Sequence, residues 1–403
     1  MKIKSLGPGL LFAGAAIGVS HLVQSTRAGA DFGFGLLWAL LLVNFFKYPF
    51  FQYGPRYATA TGESLIDGYR KLGKGVLIGY YILTFATMFT IQAAVTIVTA
   101  GLAINLFGFT DNSITWSIII TAISFGILII GKYKLLDNLI KVIIVVLTVS
   151  TITAVSVAVF NTTKSYGFTQ VFPQGSLEIG FLIAFLGWMP APLDISAWHS
   201  LWALEKQKDI HKNFDTKQAI FDFNIGYIAT IFLAICFLAL GALVMFESGE
   251  EFSGSAGKFA QQIISLYTEN LGSNLSIFVA IAAFTTMFST TLTTLDASPR
   301  AMAKTTELLF NKKSNTYYYI WIVLLAVGTL VILSYFISNM MSLIKIATIL
   351  SFLTAPFYAI ANFILISGKH TPKEWHPSLP MKIISYLGIL FLLGFSAWYL
   401  INL

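Results

Sequence analysis

The chain has 403 residues, of which 56% are hydrophobic and only 11% are charged, and its formal net charge is +7. A soluble domain of this size carries roughly twice that charged fraction, so the composition excludes one. The apolar runs are also too long for the strands of a membrane β-barrel, which need only about ten residues each. The basic excess lies in loops and does not indicate a nucleic-acid partner. The sequence therefore predicts an all-α integral membrane protein.

Eleven apolar runs are long enough to cross a bilayer as helices, which takes roughly 20 residues each. In chain order, segments 1 to 11 are predicted at 8–28, 34–55, 76–106, 114–131, 135–160, 177–203, 219–246, 274–296, 317–337, 341–367 and 382–402. The first run lacks the small-residue cleavage site of a signal peptide and continues into further apolar sequence, so it is kept as structure. The single cysteine, Cys236, excludes an internal disulfide.

The basic residues of the loops indicate an orientation. Nearly all of them fall on the side of the N-terminus, and only Arg27, Lys164 and Lys258 are assigned to the other side. The positive-inside rule then predicts a multi-pass protein of the plasma membrane with its N-terminus in the cytoplasm and its C-terminus outside. The outer loop at 247–273 is acidic and then amphipathic, which is typical of a short helix on the membrane surface.

Segment 6 contains residues that a continuous membrane helix does not tolerate. Pro190 and Pro192 stand two positions apart in its centre, and the carboxylate of Asp194 follows them. Each proline removes a helix hydrogen bond and clashes with the preceding turn. In lipid, a broken backbone persists only where it lines a protein-enclosed or watery cavity. An ionisable residue beside such a break is by default part of a substrate or ion path. The alternative is a proline kink with a hydrogen-bonded Asp194.

Segment 1 breaks its own pattern at Gly18–His21, and this matches the break of segment 6 in position. The chain then divides into two halves of five segments, at about 8–160 and 177–367, with an extra segment at 382–402, within one transmembrane domain over 1–403. Interrupted helices at matching places of two halves indicate the midplane site of a transporter. The near-identity of Leu139–Val142 in segment 5 and Leu343–Ile346 in segment 10 supports the repeat.

Both breaks supply groups that bind ions. Imidazole, thioether and carboxylate together can hold a transition metal, so His21, Met189 and Asp194 are candidate metal ligands. His21 has the alternative of a packing histidine with satisfied nitrogens. Segment 8 adds a row of hydroxyls that share one face by helical spacing: Thr286, Thr290, Thr293 and Thr294. They either offer hard oxygens to a cation, or bond their own helix and join helices together.

Several stretches resemble the NRAMP family of metal-ion transporters. The specific likeness covers the first sixty or so residues, at Gly7–Leu11, Ala28–Trp38 and Ala60–Leu65, and weaker likeness follows at Asp222–Gly226, Ser289–Thr293 and Ser351–Phe357. The resemblance implies the leucine-transporter fold, in which two inverted five-helix repeats have broken helices 1 and 6. It also implies the transport of divalent metals, commonly together with protons.

The departures from the family pattern fall on functional positions. Where the family carries Asp-Pro-Gly-Asn, with metal-binding Asp and Asn, this chain has Gly18–His21. The family's Met-Pro-His of helix 6 either aligns on Met189, or places Asp194 at its first His and His199 at the second. The family's glutamine of helix 10 falls on Thr354. Segments 3 and 9 lack the charged residues of the family's proton route, which leaves His199 as the candidate for a proton path.

These observations predict a secondary transporter that works by alternating access and carries a cation. The family implies a divalent metal, but the loss of the segment 1 carboxylate disfavours a doubly charged ion. The alternative is a sodium- or proton-coupled symporter of a small organic solute. The predicted substrate- or ion-binding residues are Gly18, Ser20, His21, Met189, Asp194 and Thr354. A sodium site is predicted between carbonyls at Ile17–Val19 and the segment 8 threonines.

The same reasoning limits the partners. Asp194 with His199 is too small a set for an enzyme active site, and no stretch resembles a nucleotide-binding loop. We therefore expect a protein without enzymatic activity and without a cofactor other than a bound Na⁺ or divalent cation. It is expected to act as a monomer in the lipid bilayer, with a small cation or solute as its substrate.

Overall fold

The structure, a computed structural model, describes residues 7–130, 133–161, 167–210, 214–246, 252–271, 276–336 and 339–402, and no strand occurs among them. In chain order the helices are α1 (Pro8–Ala16), a π-helical segment (Ser20–Ser25), α2 (Thr26–Phe32), α3 (Leu37–Thr61), α4 (Leu65–Leu72), α5 (Lys74–Phe107), α6 (Ser113–Ile130), α7 (Tyr133–Asn161), α8 (Ser176–Trp188), α9 (Ile195–Ile210), α10 (Thr216–Val244), α11 (Ala256–Leu271), α12 (Ser276–Phe310), α13 (Thr316–Val331) with a π-helical end (Ile332–Phe336), α14 (Met340–Ser367), a 3₁₀ turn (Lys373–Trp375) and α15 (Leu379–Ile401).

The helices account for all eleven predicted segments. By length and composition, α5, α6, α10, α12, α13, α14 and α15 are each able to span a membrane, and the bent pair of α1 with Ser20–Phe32 adds an eighth span. The other three segments are α3, α7 and the pair α8–α9. The predicted all-α membrane architecture is therefore confirmed. The predicted segment ends at 131, 274 and 337 lie outside the described residues.

Segment 8 is longer than predicted, because α12 continues to Phe310 instead of ending near 296. Asp296 and Arg300 stand one helical turn apart and form an ion pair, with 2.6 Å between Asp296 Oδ2 and Arg300 Nε. Such a pair supports a helix beyond its apolar part. The helix also tolerates Pro299 in this region. The predicted end of segment 8 was set by the length of its apolar run, so it did not include this polar continuation of the helix.

The break in segment 1 lies slightly earlier than predicted. α1 ends at Ala16, and its axis makes an angle of 47° with the helix that starts at Ser20. The Gly18 carbonyl accepts the N–H groups of both His21 and Leu22, at 3.1 and 3.0 Å. These two bonds restart the helix, so the unwound residues are Ile17 and Gly18, and Val19 already has helical backbone angles. The prediction of an unwound His21 is wrong. His21 belongs to the π-helical segment instead.

The break in segment 6 is confirmed where the prolines predict it. α8 ends at Trp188 and α9 begins at Ile195, so the residues from Met189 to Asp194 are not helical. The predicted amphipathic helix of the 247–273 loop is also present, as α11. Its apolar face packs on α7, where Tyr267 and Thr151 share a hydrogen bond of 2.9 Å. Lys164 and the acidic residues of the loop (Glu247, Glu250 and Glu251) lie outside the described residues.

Segment 1 packs backbone to backbone along α10. A Cβ atom on Gly9 or Gly29 would collide with a carbonyl oxygen of α10, and one on Gly226 or Gly241 would collide with a carbonyl oxygen of segment 1. Small residues allow this close approach of helices in membranes. Asp222 of α10 adds a cap, since its carboxylate accepts the N–H groups of Gly7 and Gly9 at 3.1 and 2.7 Å. Both sides of the break are therefore anchored to the same helix.

We predict that Gly226→Ala destabilises the protein. The added methyl group overpacks the contact between α1 and α10, which costs roughly 1–3 kcal/mol. Thermal unfolding of the purified protein measures the loss. Gly126→Ala in α6 is the matched control, because no heavy atom lies within 4 Å of its added Cβ. Equal melting temperatures for the two variants would show that α1 and α10 separate without cost.

Candidate functional site

The two breaks meet around a small cavity of about 20 Å³. Segment 1 contributes Ala15, Ala16, Val19 and Ser20 to its wall, and segment 6 contributes Trp188, Pro192, Ile195 and Trp198. The remaining wall comes from α5 and from Thr290 and Thr294 of α12. A cavity of this size accommodates about one water molecule or one small ion. The prediction that the breaks face each other is confirmed.

His21 is buried and both of its ring nitrogens have partners. Nε2 lies 2.9 Å from the Thr230 carbonyl oxygen of α10, and Nδ1 lies 2.7 Å from the hydroxyl of Ser20. Because a carbonyl only accepts, Nε2 must carry a hydrogen and donate it. The Ser20 hydroxyl is also 2.6 Å from the Ala16 carbonyl oxygen, across the break. His21 could bind a metal only by giving up one of these bonds, so its ligand role remains a prediction.

Asp194 stands at the start of α9 and is 4% exposed. Its carboxylate interacts with the backbone N–H of Ile195 at the helix N-terminus, where the helix dipole favours negative charge. Its Oδ1 atom has no hydrogen-bond partner among the described residues. Buried polar atoms are nearly always paired, so this oxygen is free to accept a bond from a ligand or to coordinate a cation. The carboxylate is hydrogen-bonded to the backbone only in part, and its role as a ligand remains a prediction.

Lys47 is a buried charged residue at the break of segment 6 that the sequence-based reasoning missed. It lies in α3, is fully buried, and reaches the break of segment 6. Its ammonium group donates to the carbonyl oxygens of Leu186 and Gly187, both at 2.7 Å, and of Ala191 at 3.4 Å. A signal was available, because a lysine within a membrane helix indicates a functional site by default. The loop-by-loop count of basic residues did not include it.

Three other predicted site residues lie away from the cavity walls. Met189 is fully buried in the apolar core, and Thr354 donates to the Ser351 carbonyl oxygen at 3.2 Å within its own helix. His199 stacks on Phe12, with ring centroids 5.6 Å apart, and its nitrogens have no partner among the described residues. Gly18, His21 and Asp194 are likewise not among the residues that line the cavity, and of the predicted substrate-binding residues Ser20 alone is. The roles of all these residues remain predictions.

The threonines of α12 differ in whether they are placed to bind a cation at the cavity or only to bond and pack helices. Thr286 bonds only its own helix, at the Ala282 carbonyl oxygen, and Thr293 is buried without lining the cavity. Thr290 donates to the Gly14 carbonyl oxygen of α1 at 3.2 Å, and Thr294 donates to a side-chain oxygen of α5 at 2.5 Å. Thr290 and Thr294 also line the cavity. The predicted neighbourhood of segments 1 and 8 is therefore present.

Gly18 permits the close contact between the break and α12. A Cβ atom there would lie 2.9 Å from Cγ2 and 3.0 Å from Oγ1 of Thr290. An aspartate, which the family pattern has at this position, would not fit without a shift of Thr290. Among the described residues, no three His, Cys, Asp or Glu side chains form a group that could hold a metal ion. The charged groups at the breaks are one carboxylate, Asp194, and one ammonium, Lys47.

A larger cavity of about 800 Å³ lies between α1, α9, α12 and α13. Its walls carry charged pairs, among them Asp67 with Lys304 at 2.7 Å and Asp296 with Arg300. Tyr318 also donates to Asp296 at 2.6 Å. This cavity is polar and roomy, unlike the small cavity at the breaks, and it includes lysines of the predicted cytoplasmic loops.

The chain was compared with known proteins. It matches the profile of the natural resistance-associated macrophage protein-like (Nramp) family over residues 9–402. It is also 35% identical, over 403 aligned residues, to an uncharacterized protein of Pasteurella multocida (strain Pm70). That alignment covers 98% of this chain and 91% of the relative.

Two kinds of solved structure have a similar fold. A mutant of the manganese transporter of Eremococcus coleocola superposes with a TM-score of 0.72 at 15% identity, over 97% of this chain and 84% of the other. MhsT in complex with L-phenylalanine superposes with a TM-score of 0.62 at 14% identity, over 98% of both chains. At these identities the likeness shows the fold alone, and it confirms the leucine-transporter fold with broken helices 1 and 6.

Proposed function

The chain belongs to the Nramp family and is a membrane transporter rather than an enzyme, and on this premise we propose that it carries its substrate by alternating access through the cavity between the two breaks. The observation that supports the proposal is the meeting of both broken segments around one small, buried, partly polar space. Broken helices place half-helix ends and free carbonyls at a midplane binding site. We propose that Asp194, which ends the break of segment 6 and whose Oδ1 has no partner among the described residues, contacts the substrate.

A cation is the first candidate for the cargo. The family implies divalent metal cations, and the similar protein of Eremococcus coleocola is a manganese transporter. The carboxylate of Asp194 and the carbonyls of the break are oxygen ligands of the kind that hard cations take. One carboxylate beside one ammonium attracts a doubly charged ion poorly. We therefore propose a cation carrier whose affinity for divalent metals is low.

A small organic solute, coupled to sodium or protons, is the second candidate. The observation that favours it is Lys47, whose buried positive charge opposes a cation as cargo. MhsT holds L-phenylalanine, so the same fold can enclose an organic ligand. A stability screen of the purified protein against metals, sodium and solutes separates the candidates, because only ligands of the native state raise the melting temperature.

We also propose an orientation. The lysines around the 800 Å³ cavity, such as Lys206, Lys208 and Lys304, belong to the basic side of the protein, and basic loops stay in the cytoplasm. The larger cavity then opens toward the cytoplasm, and the small cavity lies deeper between the breaks. This arrangement suits a conformer that has closed on the outer side.

Sodium is the coupling ion that we propose for this transporter. Thr290 and Thr294 line the cavity, and Thr290 contacts the Gly14 carbonyl oxygen beside the break of segment 1. Unwound carbonyls together with hydroxyls make a sodium site, and a single positive charge can be met by dipoles alone. The carbonyls from Ile17 to Val19 and the hydroxyls of Thr290 and Thr294 are the proposed ligands.

We predict that Asp194→Asn abolishes uptake of the ligand that the stability screen identifies. The amide keeps the shape of the side chain but removes the charge that faces the substrate. His21→Ala should reduce uptake more mildly, because it loosens the π-helical segment from α10. Flux into proteoliposomes is the measurement, and Asp111→Asn at an exposed loop position is the control. Normal flux through Asp194→Asn would show that the site lies elsewhere.

We predict that manganese binds weakly to the wild-type protein, with no saturable heat at micromolar concentrations in calorimetry. Gly18→Asp combined with Thr290→Ala should strengthen binding, since it adds a carboxylate and removes the side chain that would obstruct it. Thr290→Ala alone is the control and should bind as weakly as the wild type. Micromolar affinity of the wild-type protein would contradict this prediction and support an ordinary metal site.

We predict that sodium raises the melting temperature of the purified protein where potassium does not. Thr290→Val with Thr294→Val should remove this difference, because valine keeps the volume and lacks the hydroxyl. Thr305→Val is the matched control, since Thr305 is buried in the same helix and bonds only the Ala301 carbonyl oxygen. If the two salts give equal melting temperatures and a pH gradient alone drives transport, the hydroxyls serve to pack helices.

A further inference from the structure

The ammonium group of Lys47 sits where a broken membrane helix binds a cation. The last carbonyls of a helix have no partner within the helix and carry partial negative charge. In transporters with broken helices, such half-helix ends and the unwound carbonyls after them coordinate the coupling ion. Leu186 and Gly187 lie in the last turn of α8, and Ala191 lies in the unwound stretch. All three carbonyls accept from Lys47 Nζ.

These contacts use the whole bonding capacity of the ammonium group. A lysine ammonium has three N–H donors and no acceptor, and three carbonyl oxygens receive them at 2.7, 2.7 and 3.4 Å. No donor is left for a substrate. Lys47 therefore acts on the substrate through its charge and through the shape that it gives to the break.

The charge of Lys47 lies at the same break as that of Asp194. Its Nζ contacts the carbonyl oxygen of Ala191, three positions before Asp194, and both side chains are buried, with 0% and 4% exposure. Charges interact strongly in the low-dielectric interior, and a buried charge without a counter-charge is costly. The two formal charges sum to zero. A divalent cation bound at Asp194 would leave a net charge of +2 in this space.

We propose that Lys47 is a tethered cation that fills the ion position at the end of α8, neutralises Asp194, and makes the site reject divalent cations. Lys47 is then a specificity-determining residue, and the cargo carries at most one positive charge. The inference rests on the transport site proposed above. It also leaves the space between segment 1 and α12 as the place for a mobile coupling ion.

The test removes the charge of Lys47 and keeps hydrogen-bond donors at the carbonyls. In Lys47→Gln the amide still donates to the break, while Asp194 loses its counter-charge. Manganese and calcium chloride should then raise the melting temperature of the purified variant by roughly 2–5 °C at saturating concentration, and leave the wild type unchanged. Adding Asp194→Asn to Lys47→Gln should abolish the shift. Lys345→Gln, which changes a half-buried lysine of α14, is the matched control and should behave as the wild type.

A second variant tests the ion position itself. Lys47→Ala leaves the three carbonyls without donors and opens a space of the size of the lost side chain. Methylammonium chloride should recover part of the lost melting temperature of Lys47→Ala. It should not do so for Lys47→Met, whose side chain fills the space. Choline chloride at the same ionic strength is the control for a salt effect, because its cation is too large to enter.

The outcomes separate this inference from the proposed function. The inference is overturned if Lys47→Gln responds to divalent cations no more than the wild type does, or if methylammonium has no effect on Lys47→Ala. If the single Lys47 variants do not fold, restored folding on addition of Asp194→Asn supports the charge pair, and no restoration contradicts it. Normal transport by Asp194→Asn would instead refute the proposed site, and it is measured by flux rather than by binding.

Discussion

The structure depends on how the broken backbone of segment 6 is satisfied inside a membrane. Every polar backbone group at that depth needs a partner, because lipid offers none. Lys47 of α3 satisfies three carbonyl oxygens at and after the end of α8 with charge-assisted hydrogen bonds. Asn362 of α14 then joins α9, which follows the break, to α3, since its amide donates to the Phe50 carbonyl of α3 and to the Ser196 hydroxyl of α9. The break is a fixed feature held by side chains from outside segment 6.

Segment 1 is held in a different way. It lies against α10 with no side chains between the backbones at its glycine contacts, and His21 adds a bond to the Thr230 carbonyl. Its contact with α12 is smaller and includes the close approach of Gly18, one hydrogen bond from Thr290 to Gly14, and apolar packing. Segment 1 is thus more firmly joined to α10 than to α12. If alternating access moves segment 1, we expect it to move relative to α12 rather than α10, because fewer contacts with α12 have to be broken.

The sequence predicted the features whose causes are local. Proline disrupts a helix wherever it stands, so the segment 6 break was located at Pro190 and Pro192. The predicted position of the segment 1 break was too close to His21. The helix restarts through two hydrogen bonds to the Gly18 carbonyl, and composition alone does not predict them. Lys47 is visible in the sequence as an intramembrane charge. Its partners are not, because they lie more than 130 positions away in the chain.

The charge of the central site is the property that most separates this chain from the pattern of its family. Gly18 stands where the pattern has a metal-binding aspartate, and the packing of Thr290 against it leaves no room for one. Lys47 adds a buried positive charge at the break of segment 6. The two features arise in different helices, yet both lower the attraction of the site for a cation. Asp194 supplies the one carboxylate that these two features leave at the site, and the ammonium group of Lys47 balances it in formal charge. A site whose fixed charges sum to zero discriminates against a doubly charged ion, because binding such an ion would leave a buried net charge.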